Sequence, residues 1–317
     1  GIKIENPDDD PVADQLTTKR LSSFGLTRDN VLIFTTRFKF SGESSANTYW
    51  NIYPVTSSAS LAVIGGGVDG KYYADSEPIE ADKWYNISVA IRPDQRSVLM
   101  INDSVTGETI IYKSAKTPAT SVVDNAYNFL WSQTTKLVKS TSLTLTDTDI
   151  YIVSKDDTLT VDAAASTAQN ATIAPDGTIA VQFDMPVFSN KVVGVEDGVA
   201  TVSKNNFTVE GADIGEIGVI DFNKVVVGFY NLDAFEDYVL DFENIVYEGG
   251  AGLDSSSVSS IAFTVGADTN NLITAGKATY ANGEINLKLY SETEQSVKLY
   301  AAFYNGTKLL GVETATG

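Results

Sequence analysis

Asn51, Tyr53, Tyr72, Tyr73, Trp131 and Arg37 are residue types that can hold a sugar. Aromatic faces take the apolar faces of pyranose rings, and amide or charged groups beside them take the hydroxyls. In Tyr49-Trp50-Asn51-Ile52-Tyr53, strand alternation puts Trp50 and Ile52 on one face and Asn51 and Tyr53 on the other. The mixed Asn51/Tyr53 face is one candidate surface. The Tyr72-Tyr73 pair, beside a Gly65-Gly66-Gly67 run, is a second, and Arg37 with Lys39 on the polar face of a long strand is a third. The bland alternative is that these aromatics support the core or a hairpin and that the charges are solvated. Asp147 and Asp149, and the run Asp8-Asp9-Asp10, could contribute to a structural Ca²⁺ site. Calcium needs 6–8 oxygens, so one carboxylate pair would require carbonyls and water as well. A solvated tail is the competing reading of the N-terminal run.

Other chemistries are disfavoured by what the chain lacks. It has no histidine and no cysteine in 317 residues, which removes the commonest general base, the commonest metal ligand and the best nucleophile together. Carboxylate-based glycoside hydrolysis needs two acids at a set separation. Glu77 and Glu80 straddle Pro78, poor strand material, and Glu108 lies near an expected turn. The chain therefore reads as non-enzymatic. The Gly65–Gly67 run lacks the Lys-Ser/Thr and helix of a phosphate loop. A net charge of −19 argues against nucleic acid and anionic membranes, which are bound through Lys and Arg. No run of 18 apolar residues exists, so no membrane insertion is expected. Asn86 and Asn206 head Asn-x-Ser/Thr triplets.

The elements that must position these residues are strands. Runs of about 5–9 residues rich in Val, Ile, Thr, Tyr and Phe recur between Gly, Asn and Asp, with almost no helical periodicity. The fold class is all-β, built from sandwiches. In Ile33–Phe40, Phe34, Phe38 and Phe40 share a face that should be core. Asn305-Gly306 is expected to be a two-residue hairpin turn. Low-apolar stretches at 154–169 and 266–271 divide the chain into modules 1–155, 165–266 and 270–317. The last is too short to bury a sandwich core alone, and is expected to dock on its neighbour or to continue in a longer protein.

Asp82-Lys83-Trp84-Tyr85-Asn86-Ile87-Ser88-Val89, then Ser97–Asp103, then Leu145–Val153, resemble the concanavalin A-like/laminin-G-like jelly-roll superfamily. Ala174-Pro175-Asp176-Gly177-Thr178 through Asp184-Met185-Pro186-Val187, with Tyr238–Val246 and Ile261–Val265, resembles a bacterial immunoglobulin-like domain of the S-layer type. Lys298–Val312 resembles part of a fibronectin-III-like module. These resemblances imply a jelly roll, with Trp84 packed inside it, an immunoglobulin-like sandwich and a partial β module. They also imply a secreted or surface-attached extracellular protein, expected to be a monomer, that binds a polysaccharide or cell-surface glycan. Two alternatives stay open: a structural or adhesive spacer, and the accessory region of a polysaccharide hydrolase or lyase.

Overall fold

In the computed structural model the described residues are 1–5, 12–20, 29–52, 62–91, 96–116, 128–137, 141–154, 156–189, 201–247 and 251–317. They are almost all strand and turn, with one 3₁₀ turn at Lys204–Asn206 and no α-helix among them. The first twelve strands are β1 (Ile2–Glu5), β2 (Val12–Arg20), β3 (Asn30–Ser41), β4 (Tyr49–Ile52), β5 (Ala62–Gly66), β6 (Tyr72–Ala74), β7 (Glu77–Ile79), β8 (Tyr85–Ile91), β9 (Arg96–Asp103), β10 (Thr109–Lys116), β11 (Asn128–Leu137) and β12 (Ser142–Ser154). They form two six-stranded sheets, β1-β12-β3-β8-β9-β10 and β2-β11-β4-β5-β6-β7.

The alternating pattern of β3 explains how these sheets pack. Phe34, Phe38 and Phe40 are all 1% exposed or less and meet Trp50, Tyr72 and Tyr85 between the sheets. Phe38 sits edge-on to Trp50 at 5.5 Å, and Phe40 stacks on Tyr72 at 5.1 Å. Each such side chain stabilises the fold by about 1.5–3 kcal/mol through burial. Trp84 departs from the expectation that it packs inside. It is half-buried, with the Lys39 ammonium 5.0 Å from its ring. The reason is parity: Tyr85 takes the core, so its neighbour points the other way.

The other face of the β3 sheet is not an open concave surface. Val31, Ile33, Ala90, Val98 and Met100 belong to the same hydrophobic cluster as Val219, Phe188, Leu240 and Phe263 of the next unit. The central strands of the sheet are thus covered on both faces, and every residue of β8 is buried, while β1 and the middle of β12 stay exposed. That next unit has a four-stranded sheet ordered Ala171–Ile173, Ser260–Val265, Asp237–Phe242, Phe207–Val209, and a three-stranded sheet ordered Thr178–Gln182, Lys224–Tyr230, Asp213–Ile220. Both sandwiches use a tyrosine to tie down a turn: the Glu80 amide donates to the Tyr85 hydroxyl and the Asp233 amide to the Tyr238 hydroxyl, each at 2.8 Å.

Backbone contacts make the junction between the sandwiches close. The Val219 backbone amide donates to the Gly107 carbonyl at 2.9 Å, and the Asn102 side-chain amide donates to the Val219 carbonyl. A Cβ on Gly218 would lie 2.4 Å from the Thr106 carbonyl oxygen. Asn86 and Asn206, which head two of the chain's Asn-x-Ser/Thr triplets, are buried.

Residues 274–316 form three two-stranded pairs, the longest joining Lys298–Asn305 to Lys308–Thr316. Its turn falls one residue later than expected. Asn305 pairs with Lys308, and Gly306-Thr307 make the turn, with Gly306 at φ +61°. Glycine at the first central position supplies the positive φ without steric cost.

Candidate functional site

The outer face of β4-β5-β6 carries a groove of about 390 Å³. Its geometry follows from register. Tyr49 pairs with Gly65, and Gly65 with Tyr73; Asn51 pairs with Val63. Trp50, Ile52, Ile64, Tyr72 and Ala74 point into the core, so alternation turns Tyr49, Asn51, Val63 and Tyr73 outward. Tyr49, Asn51, Val63, Gly65, Tyr73 and Asp75 line the groove.

Glycine at 65 is required by the packing of the chain beside it. A Cβ there would lie 2.2 Å from the Thr48 carbonyl oxygen and 2.9 Å from the Tyr49 Cβ. Between two tyrosines the groove floor is therefore bare backbone. Gly66 is equally constrained, since its Cβ would meet Ser45 backbone atoms at 2.3 and 2.5 Å.

The Tyr73 wall is held in place. Its hydroxyl donates to Asp69 Oδ2 at 2.7 Å, while Asp69 Oδ1 accepts the Lys71 amide at 3.2 Å. A Cβ on Gly67 would come within 2.7 Å of the Tyr73 ring, so the ring lies over a residue without a side chain. The shared hydrogen bond holds the Asp69 carboxyl below its ordinary pKa and the Tyr73 hydroxyl above its own. Asp75, in left-handed backbone conformation at φ 52°, accepts the Val63 amide at 3.0 Å and pairs with Lys113. Among the described residues the Asn51 side chain has no hydrogen-bond partner, which leaves its donor and acceptor available to a ligand.

The residues singled out in the sequence divide among several places. Asn51 and Tyr73 come together in this groove. Tyr72 does not join them. Its ring is 2% exposed, its hydroxyl reaches the Gly42 and Glu43 carbonyls at 3.4 Å, and burial pushes that hydroxyl up to about 12. Adjacent strand residues face opposite ways, so one of the pair had to enter the core. Tyr53 lies outside the described residues. Trp131 lies in β11, the neighbour of β4, and its side chain is outside the described part.

Arg37 faces the second sandwich. It donates to the Asn86 side chain at 3.1 Å and pairs with Asp221 and, at 3.4 Å, with Asp147. An irregularity in the β12–β3 register runs from Thr146 to Asp149, with Asp147 inside it, and no group of three or more acidic side chains gathers among the described residues. Asp8-Asp9-Asp10 lie outside those residues. Tyr49 and Asp75 are the polar groove residues missed in the sequence, and Val63 and Ala46 were not singled out either. Tyr49 was accessible to the same parity argument, standing two positions before Asn51. Asp75 carries no sequence signal, because the β5–β6 hairpin places it.

No family model matches the chain, and no curated protein matches it. Similar solved structures include the crystal structure of the botulinum neurotoxin serotype D binding domain, 12% identical over 99% of this chain and 82% of that one, with a TM-score of 0.25. A second is the binding domain of botulinum neurotoxin DC in complex with SialylT, at 8% identity, 91% and 77% coverage and a TM-score of 0.23. A third is the botulinum neurotoxin serotype D/C VPI 5993 binding domain, at 11%, 91%, 78% and 0.22. At these scores the likeness carries no inference about the groove. The class of protein is defined by the chain itself: an all-β, multi-sandwich protein with a shallow aromatic groove on one sheet.

Proposed function

We propose that the chain is a non-catalytic glycan-binding part of an extracellular, secreted or surface-attached protein, with modules 1–155, 165–266 and 270–317. Its groove on β4-β5-β6 takes the sugar, and the later modules carry the first away from its anchoring surface. The observation that supports this reading is the Tyr49–Gly65–Tyr73 row with the unengaged Asn51 amide beside it. Aromatic walls stack on pyranose faces, and the amide reads hydroxyls. Single-site affinity would be weak, and strength would come from several modules acting together.

A glycan array followed by calorimetric titration tests the proposal. Tyr73→Ala is expected to weaken binding about tenfold or more, and Asn51→Ala by about two- to tenfold, the worth of one lost hydrogen bond. Trp84→Ala, away from the groove, should leave affinity unchanged. Absence of binding to any glycan, or full binding by Tyr73→Ala, overturns the proposal.

The continuous core between the first two sandwiches favours a second reading, a rigid structural spacer, which a wholly negative array would leave standing. A calcium ion at Asp147 and Asp149 would have to share Asp147 with Arg37. A melting temperature raised by Ca²⁺ and lowered by chelator is its signature; an unchanged one removes calcium from that place.

A further inference from the structure

We infer that the junction between the two sandwiches encloses an internal water site, bound by Thr35, Asn86, Ser88 and Asn102. Phe34, Ile87, Val89 and Ile101 point into the core of the first sandwich, so alternation turns Thr35, Arg37, Asn86, Ser88, Met100 and Asn102 toward the second. Register sets them in two rows: Arg37 beside Asn86 and Asn86 beside Asn102, then Thr35 beside Ser88 and Ser88 beside Met100. Thr35, Asn86, Ser88 and Asn102 are wholly buried. Two bonds fix which end of each amide is left over: Asn86 Oδ1 accepts from Arg37, and Asn102 Nδ2 donates to the Val219 carbonyl. That leaves one donor, Asn86 Nδ2, one acceptor, Asn102 Oδ1, and two hydroxyls that serve either way. None of the four has a hydrogen-bond partner among the described residues.

Buried polar groups without partners are rare in native proteins, and where they gather an ordered water is the usual partner. The four do not reach one another. Side chains directly opposite on neighbouring strands start from Cβ atoms about 4.5–5.5 Å apart. Two hydrogen bonds of about 2.8–3.0 Å, meeting at a water, span such a gap. One water accepts from Asn86 and donates to Asn102 across β8 and β9. A second lies between the Thr35 and Ser88 hydroxyls across β3 and β8. The longer side chains around them make the room. The Ser189 amide rests on Met100 Sδ at 3.1 Å, the Val219 carbonyl on Asn102, and Asp221 on Arg37. The second sandwich is thus held off the short Ser88 side chain by residues beside and diagonal to it. The occupant is neutral. The Asn86 N–H group and the adjacent Arg37 oppose a cation, and the Asn102 carbonyl oxygen opposes an anion.

The test is diffraction from crystals of the whole chain, with thermal melts of the wild type and of Thr35→Val/Ser88→Ala. Ordered water is expected within about 3.2 Å of Asn86 Nδ2 and Asn102 Oδ1, and again within reach of the two hydroxyls. The double substitution takes away only the hydroxyls, nearly without change of shape at Thr35. Its melting midpoint is expected to fall by about 2–6 °C, the effect of one or two lost hydrogen bonds. Removal of hydroxyls that have no partner would leave the midpoint unchanged or raise it, and that result overturns the inference. So does a crystal with no water on these atoms, or with a direct Thr35–Ser88 hydrogen bond. Should the double variant not fold, Ser88→Ala alone is read by the same outcomes.

Discussion

Replacing Gly218 by alanine should uncouple the two sandwiches. The new Cβ would sit 2.4 Å from the Thr106 carbonyl oxygen and 3.0 Å from the Gly107 carbonyl carbon, about 1 Å inside ordinary contact. Backbone of the first sandwich is what it meets, so no side chain can swing aside. Relief requires the sandwiches to part, which breaks the Val219–Gly107 and Asn102–Val219 hydrogen bonds. Each bond is worth about 1 kcal/mol net, and a group left buried without a partner costs about 1–3 kcal/mol, so a loss of about 2–5 kcal/mol is expected. The three tryptophans, Trp50, Trp84 and Trp131, all lie in the first sandwich, so their fluorescence reports that unit alone, while far-UV circular dichroism reports both. In urea the wild-type transitions seen by the two probes should coincide. In Gly218→Ala the fluorescence midpoint should fall by about 1 M, at an m-value of about 3 kcal/mol/M, and separate from the dichroism curve. Gly311→Ala is the control, since its Cβ meets nothing within 4 Å. An unmoved fluorescence midpoint in Gly218→Ala, or wild-type curves that already separate, would refute the coupling.

Two further predictions concern buried polar groups. The Asp103 carboxylate, 4% exposed, faces Lys83 at 2.7 Å and accepts the Val105 and Thr106 amides at 2.8 and 3.0 Å. Burial raises its pKa, but Lys83 and the two amides outweigh burial and hold it below the ordinary value. A depressed carboxylate contributes stability above its unfolded pKa and loses it as pH falls through the folded one. Lys83→Met should therefore cost about 1–2 kcal/mol at pH 7, the lysine end being partly solvated, and the difference from wild type should shrink below about pH 4. Urea midpoints at pH 7 and pH 3 check this; a penalty equal at both would refute it. Asn206 accepts the Ser203 amide at 2.8 Å and donates to the Glu243 and Asn244 carbonyls at 3.1 and 3.0 Å. Asn206→Ala should cost about 2–4 kcal/mol, read as a lowered thermal midpoint; a change below about 0.5 kcal/mol would contradict that role.

Much of the fold was legible because period-two alternation survives in the strands that carry it. The Phe34/Phe38/Phe40 face, and the split of Trp50 and Ile52 from Asn51, follow from alternation and agree with their burial. The same rule applied to Tyr72-Tyr73 admits only one of them to any surface, and the core took Tyr72. What alternation could not reveal is which outward faces stay outward. Arg37, Asn86 and Asn102 form one polar row across β3, β8 and β9, the pattern of a solvated sheet. A second sandwich nevertheless covers it, held by the apolar residues Ile33, Ala90 and Val98 further along the same strands.

From sequence alone came the all-β class, the strand faces, the acidic character and the absence of histidine and cysteine, all local or compositional properties. The tertiary structure decided where the aromatic residues meet. Tyr49 and Tyr73 are 24 positions apart in the chain, and only the pairing of β4, β5 and β6 stands them on either side of Gly65. In the sequence that glycine is one of a Gly65-Gly66-Gly67 run with no assigned reason. It is glycine because the Thr48–Tyr49 backbone leaves no room for a Cβ, and so close an approach between strands exists only once the sheet is formed.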